Sequence, residues 1–177
     1  LGHTITGLTD EGYIPQMAVY ESSTFGVISG ATFGLFGRAS NATIKNINVV
    51  NMNITGFVGY NTTTSEHLKI YSDASAALVG YSYGNMTFEN CSVSGIIIGD
   101  DASSALLGRG YGEGGNTVKL TNCTSDVEIS LSSEGKAGGL IGFTSTVDVY
   151  FTNCSFTGVN NMYQARIDEL TYMHMPG

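Results

Sequence analysis

Three groups of residues in this chain could do chemistry. The first is a set of cysteines at Cys91, Cys123 and Cys154, each preceded by Asn and followed by Ser or Thr, in "FENCSVSG", "LTNCTSDV" and "FTNCSFTG". Thiols ligate zinc when His or further Cys stand within reach. His3, His67 and His174 all lie outside the positions where the cysteines recur. A ladder of core thiols is therefore expected, because a buried free Cys behaves as a small apolar group. An odd count leaves at least one thiol free or paired to another chain. Spacing allows a Cys91–Cys123 or Cys123–Cys154 bridge, while parallel side-chain directions favour free thiols.

The second group is acidic and basic. Cleavage of acidic polysaccharides uses clustered carboxylates, often with calcium, beside a basic residue. Asp100 and Asp101 are adjacent in "GDDASS", and Arg38 and Arg109 occupy one repeated position that they share with Tyr81 and Phe143. Alternating Arg and aromatic residues read as a cation–π stack rather than as a catalytic base. Local spacing yields no Ser-His-Asp or Cys-His grouping. The Gly-rich "GYGEGGN" at Gly110 to Asn116 lacks the Lys of a phosphate loop. No catalytic residue, no metal site and no cofactor is expected. Tyr81, Tyr83 and Tyr111 could line a carbohydrate-contact surface, although scattered surface Tyr is the commoner explanation.

The third group is asparagine as a glycan acceptor. Asn-X-Ser/Thr occurs at Asn41, Asn53, Asn61, Asn85, Asn90, Asn122 and Asn153, none with Pro at X. Asn41, Asn53, Asn61 and Asn85 are the better acceptors. Asn90, Asn122 and Asn153 belong to the Asn-Cys pairs and are expected in a buried corner.

All three groups are positioned by one repeat. The cysteines are 32 and 31 residues apart, and a fixed period in this range marks a solenoid. A fourth member stands upstream in "ATIKNINVV", where Asn46 and Ile47 take the Asn and Cys positions after a longer step of 44. Three residues before the Cys position stand Ile44, Phe88, Leu120 and Phe151; five before it, Ala42, Met86, Val118 and Val149. Two after it stand Val49, Val93, Ser125 and Phe156. Alternation, one extra residue, then alternation again describes a strand that turns a corner. Asn tolerates the left-handed bend such a corner needs. "GLFG", "ALVG", "ALLG" and "GLIG", ending at Gly37, Gly80, Gly108 and Gly142, form a second column suited to a tight, inward-packed turn. Stacked repeats would align Asn46, Asn90, Asn122 and Asn153 in an amide ladder beside the thiol stack.

These stretches, "GGLIGFTSTVDVYFTNCSFTG" and "AALVGYSYGNMTFENCSVSG" above all, resemble the GLUG-type repeat of right-handed parallel β-helices. Such domains occur on surface proteins and in non-catalytic regions of large secreted peptidases and adhesins. "GHTITGL" at Gly2 to Leu8 looks like an opening coil of that family. The resemblance implies an all-β, single-stranded, right-handed parallel β-helix of about four to five coils over residues 1–158, with an insertion at about 56–73. Residues 159–177 form an irregular tail that caps the end or adds as a strand to a neighbour. Asn160, Tyr163, Ile167, Leu170 and Tyr172 are its candidate assembly residues.

Composition sets the function classes. Only 12% of residues are charged, glycine numbers 24, and the net charge is −8 from seven basic and fifteen acidic residues. Nucleic acid needs clustered cations and is excluded as a partner. No window reaches the roughly 20 apolar residues of a membrane span. The missing initiator Met points to a processed or truncated chain. An extracellular, glycosylated structural protein is expected: a head-to-tail homo-oligomeric filament subunit or adhesin stalk with neighbouring domains. A glycan- or protein-binding module is the alternative, and a polysaccharide lyase or hydrolase a distant third.

Overall fold

A computed structural model describes residues 2–6, 9–10, 28–55, 70–99, 101–131 and 135–161. These are all-β, with strand and no helix. In chain order the strands are β1 (His3–Thr6), β2 (Thr9–Asp10), β3 (Ile28–Phe33), β4 (Phe36–Lys45), β5 (Ile47–Thr55), β6 (Ile70–Ala76), β7 (Val79–Glu89), β8 (Ser92–Gly99) and β9 (Ala102–Ser104). There follow β10 (Leu107–Tyr111), β11 (Thr117–Thr121), β12 (Thr124–Leu131), β13 (Lys136–Gly138), β14 (Ile141–Ser145), β15 (Asp148–Thr152), β16 (Ser155–Phe156) and β17 (Val159–Asn160).

Three sheets result, and every ladder between these strands is parallel. The first runs β1-β5-β8-β12-β16, with β2 on β5 and β17 on β12. The second runs β14-β10-β7-β11-β15 with β4 on β7, and the third runs β13-β9-β6-β3. From β3 onward the chain visits the third, second and first sheets in turn, four times over. Parallel neighbours need a long crossover. Here each crossover is made of strands belonging to the other two sheets.

The register matches the sequence columns. Ala42 faces Met86, Met86 faces Val118 and Val118 faces Val149. Ile44, Phe88, Leu120 and Phe151 align likewise, as do Val49, Val93, Ser125 and Phe156. Met86, Phe88, Val118, Leu120, Val49 and Val93 are buried in one core with Leu78 and Leu106. Burying each such side chain contributes about 1.5–3 kcal/mol before entropy.

Corners form where the columns place them. Asn46, Asn90, Asn122 and Asn153 have φ of 58°, 53°, 52° and 51°, the left-handed region. The glycine column differs from expectation. The bends fall earlier, at Ala77–Leu78 and Ala105–Leu106, and Gly80 and Gly108 sit one residue inside the following strands. A Cβ on Gly108 would lie 2.7 Å from the Gly80 carbonyl oxygen and 2.9 Å from Ala74 Cβ. The second and third sheets thus approach closely beside β6 and β9, where Ala74, Ser75, Ala76, Ala102, Ser103 and Ser104 are all small and buried.

Two boundaries also move. Ile70–Asp73, assigned to the insertion, belong to β6, where Ile70 and Ser72 pair with Ile28 and Ala31 of β3. Residues 56–69 lie outside the described residues. Val159 and Asn160, assigned to the tail, pair with Glu128 and Ile129 as β17.

Candidate functional site

The Asn-Cys corner, the position that drew most of the candidates, is built by backbone stacking. Each corner amide donates to the carbonyl ahead of the next corner: Asn46 N to Glu89 O (2.9 Å), Asn90 N to Thr121 O (2.9 Å) and Asn122 N to Thr152 O (2.9 Å). The side chains repeat the pattern. Asn90 Nδ2 donates to Asn46 Oδ1 at 3.1 Å, Asn122 Nδ2 to Asn90 Oδ1 at 3.0 Å and Asn153 Nδ2 to Asn122 Oδ1 at 3.2 Å. The expected burial of this corner is corrected: Asn90, Asn122 and Asn153 are exposed and Asn46 is half-buried. A left-handed residue at a strand junction turns its own side chain outward, and the next residue carries the inward direction. Glycan attachment at these three sequons therefore meets no burial barrier; it would instead act on an amide nitrogen already engaged in the ladder.

The cysteines are free thiols. Cys91 and Cys123 are fully buried, whereas Cys154, on the last rung of the described residues, is half-exposed. Each donates to the carbonyl two residues back, at 3.5, 3.4 and 3.3 Å in order. Contact between the Cys91 and Cys123 thiols favours a thiolate on Cys91, drawing it down to about 7, and pushes Cys123 up; burial opposes charge on both. Both thiols belong to the packed core. Among the described residues no three His, Cys, Asp or Glu side chains gather as metal ligands.

Arg38, Tyr81, Arg109 and Phe143 face one another across β4, β7, β10 and β14. Arg38 lies over the Tyr81 ring at 5.2 Å and Arg109 over the Phe143 ring at 5.4 Å. Lys136 also covers Phe143, at 4.9 Å. Tyr111 bridges the column, 5.5 Å from Tyr81 and 5.8 Å from Phe143. Asp101 pairs with Arg109, and Lys136 Nζ stands 3.8 Å from the same carboxylate. The carboxylate nominated for sugar chemistry is thus shared by two cations. Asp100 lies outside the described residues. Cations over Tyr81 and Phe143 also occupy ring faces on which a sugar would stack.

Tyr83, next in the strand, is 45% exposed and donates from its hydroxyl to Glu113 Oε1 at 3.0 Å. That hydrogen bond and the Glu113 charge raise its pKa above 10.0.

Among the acceptor candidates Asn41, Asn53 and Asn85 are exposed, and Asn61 lies outside the described residues. Asn41 and Asn85 also have a structural part that the columns did not disclose. Asn41 Oδ1 accepts from Asn85 N at 3.0 Å, and Asn85 Oδ1 accepts from Thr117 N at 2.8 Å. The signal was present: both stand six residues before the Cys position, at 47 and 91. Of the assembly candidates, Asn160 is exposed in β17 and Tyr163, Ile167, Leu170 and Tyr172 lie outside the described residues. No helix long and apolar enough to cross a membrane occurs among the described residues.

Set beside known proteins, the chain matches no family model, no curated protein and no solved structure.

Proposed function

We propose that this chain is a right-handed parallel β-helix of the GLUG-repeat kind and serves as a non-catalytic stalk module of a secreted or surface-displayed glycoprotein. The observation that carries the reading is the asparagine ladder, continuous from Asn46 to Asn153 at spacings of 3.0 to 3.2 Å. It favours an elongated stack whose rungs are held in one register. Exposed sequons at Asn41, Asn53 and Asn85 favour an extracellular setting. The engagement of Asp101 by Arg109 and Lys136 speaks against sugar cleavage at that carboxylate.

A head-to-tail filament is the second reading, because apolar residues are exposed on both end rungs: Phe151 and Phe156 of the last are 55% and 37% exposed, and Phe36 of the first, paired with fully buried Val79, is 43% exposed. The test is small-angle scattering with negative-stain microscopy of the purified chain, beside a glycan array. Discrete monomers that ignore the array are expected. Filaments would replace the stalk by a filament subunit, and saturable glycan binding would replace it by a binding module.

A further inference from the structure

Tyr81, Tyr83 and Tyr111 stand on one outward face of the second sheet, on two adjoining rungs. Arg109 and Tyr111 of β10 pair with Tyr81 and Tyr83 of β7, and such neighbouring strands run about 4.8 Å apart. Tyr111 stacks diagonally on Tyr81, with ring centroids 5.5 Å apart and planes 27° from parallel. Those two residues are half-buried, whereas Tyr83 is 45% exposed. The Tyr83 hydroxyl donates to Glu113 Oε1 at 3.0 Å. The turn that carries Glu113 is itself fixed, since Glu113 N donates to Asn116 Oδ1 at 2.8 Å and Asn116 N to Glu113 O at 3.0 Å. One exposed phenol thus has a carboxylate built against it and a stacked pair of phenols beside it. This arrangement suits one-electron oxidation, because a phenol gives up an electron more easily when a positioned base takes its proton in the same step.

We propose that these tyrosines form an oxidative cross-linking site, at which a haem peroxidase using hydrogen peroxide joins Tyr81 to Tyr111. Tyr83 is the point of entry: it loses an electron to the peroxidase while its phenolic proton passes to Glu113. Tyr81, two residues away on the same face of β7, then supplies an electron to Tyr83 and releases its own proton to solvent, and Glu113 returns the first proton to Tyr83. A second one-electron step oxidises Tyr111 in the same way. The two radicals join by a bond between ortho ring carbons, and each ortho hydrogen moves to its own ring oxygen. The pair has lost two electrons and two protons, which hydrogen peroxide takes up to become two waters. The new bond ties β7 to β10 and so one rung to the next. Tyr150 is more exposed, at 53%, but among the described residues its hydroxyl has no hydrogen-bond partner. The site rests on these side chains alone and stands whether or not the chain is a stalk.

The full chain, kept dilute, would be treated with a haem peroxidase and hydrogen peroxide, with coupling followed by dityrosine fluorescence and the linked peptides mapped by mass spectrometry. A monomeric product lighter by two hydrogens and linked between Tyr81 and Tyr111 is expected. Tyr111→Phe is expected to abolish it, and Tyr83→Phe and Glu113→Gln each to slow formation of the same link at least about tenfold at neutral pH. The pH profile separates a proton acceptor from a packing role. The ratio of wild-type to Glu113→Gln rates is expected to fall as pH rises towards the tyrosine value near 10, where the phenolate no longer needs a base. A ratio that stays constant with pH, or a Glu113→Gln rate equal to that of the wild type, overturns the inference. Absence of any link within the chain, or a link that joins other tyrosines, such as Tyr150 between two chains, overturns it as well.

Discussion

Asn122 Nδ2 donates to Asn90 Oδ1 at 3.0 Å although 32 residues separate the two, and both hold φ near 52°. One residue type therefore meets two separate needs at each corner: a left-handed backbone and a side chain that is both donor and acceptor. Gly meets only the first and Ala meets neither. Asn122→Gly is expected to cost about 1–2 kcal/mol through lost hydrogen bonds, and Asn122→Ala about 1–2 kcal/mol more through backbone strain. Urea unfolding of the two variants checks the order. Equal losses would mean that the left-handed bend adds no cost.

Gly108 and Gly114 separate packing from composition. A Cβ on Gly108 meets the Gly80 oxygen at 2.7 Å and the Ala102 oxygen at 3.0 Å, both backbone atoms that cannot move without shifting a strand. Around Gly114 nothing lies within 4 Å. Gly108→Ala is expected to destabilise by about 1–3 kcal/mol through overpacking, and Gly114→Ala by less than about 0.5 kcal/mol. Thermal melts of both suffice, and a neutral Gly108→Ala would show that the second and third sheets can separate freely.

How much of this was legible follows from what each side chain must do. Inward columns such as Met86–Val118 and Phe88–Leu120 are fixed by period and burial, and both are written in residue type. The corner asparagines were legible because few residues accept positive φ. Their exposure was not, since it depends on which way a single left-handed residue turns its side chain. Thr146, with φ of 62°, was missed because a β-branched residue gives no sign of that conformation. The half-exposure of Cys154 was hidden for another reason: it shares the Phe-X-Asn-Cys-Ser pattern of Cys91, and its place on the last described rung is not written in that pattern.

Tyr83 gives the pH dependence with a definite sign. Its hydroxyl donates to the Glu113 carboxylate, which raises its pKa above 10.0 in the folded chain. A raised folded pKa means that the stabilisation is complete below the unfolded value near 10 and is lost as pH climbs through the folded one. Glu113→Gln is expected to bring the Tyr83 transition down towards the ordinary tyrosine value. Tyrosinate absorbance against pH, with Tyr83→Phe to assign the step, reads this directly, and an unmoved transition would remove Glu113 as the cause.

The pairing of Arg109 with Asp101 decides between a structural cluster and a catalytic one. Their side chains are 15% and 33% exposed, so solvent screens the pair only in part. Arg109→Met preserves length and removes the charge, leaving Asp101 with Lys136 at 3.8 Å, and is expected to cost about 1–2 kcal/mol. Asp101→Asn should cost a similar amount by leaving Arg109 half-buried against Tyr111 and Phe143 without its counter-ion. The double variant should then lose less than the sum, because each single change already breaks the shared contact. A carboxylate held for catalysis behaves oppositely: active sites accept strain, and neutralising Asp101 would leave stability unchanged or raise it. Denaturant midpoints of the wild type, the two single variants and the double variant therefore assign the cluster without any substrate in hand.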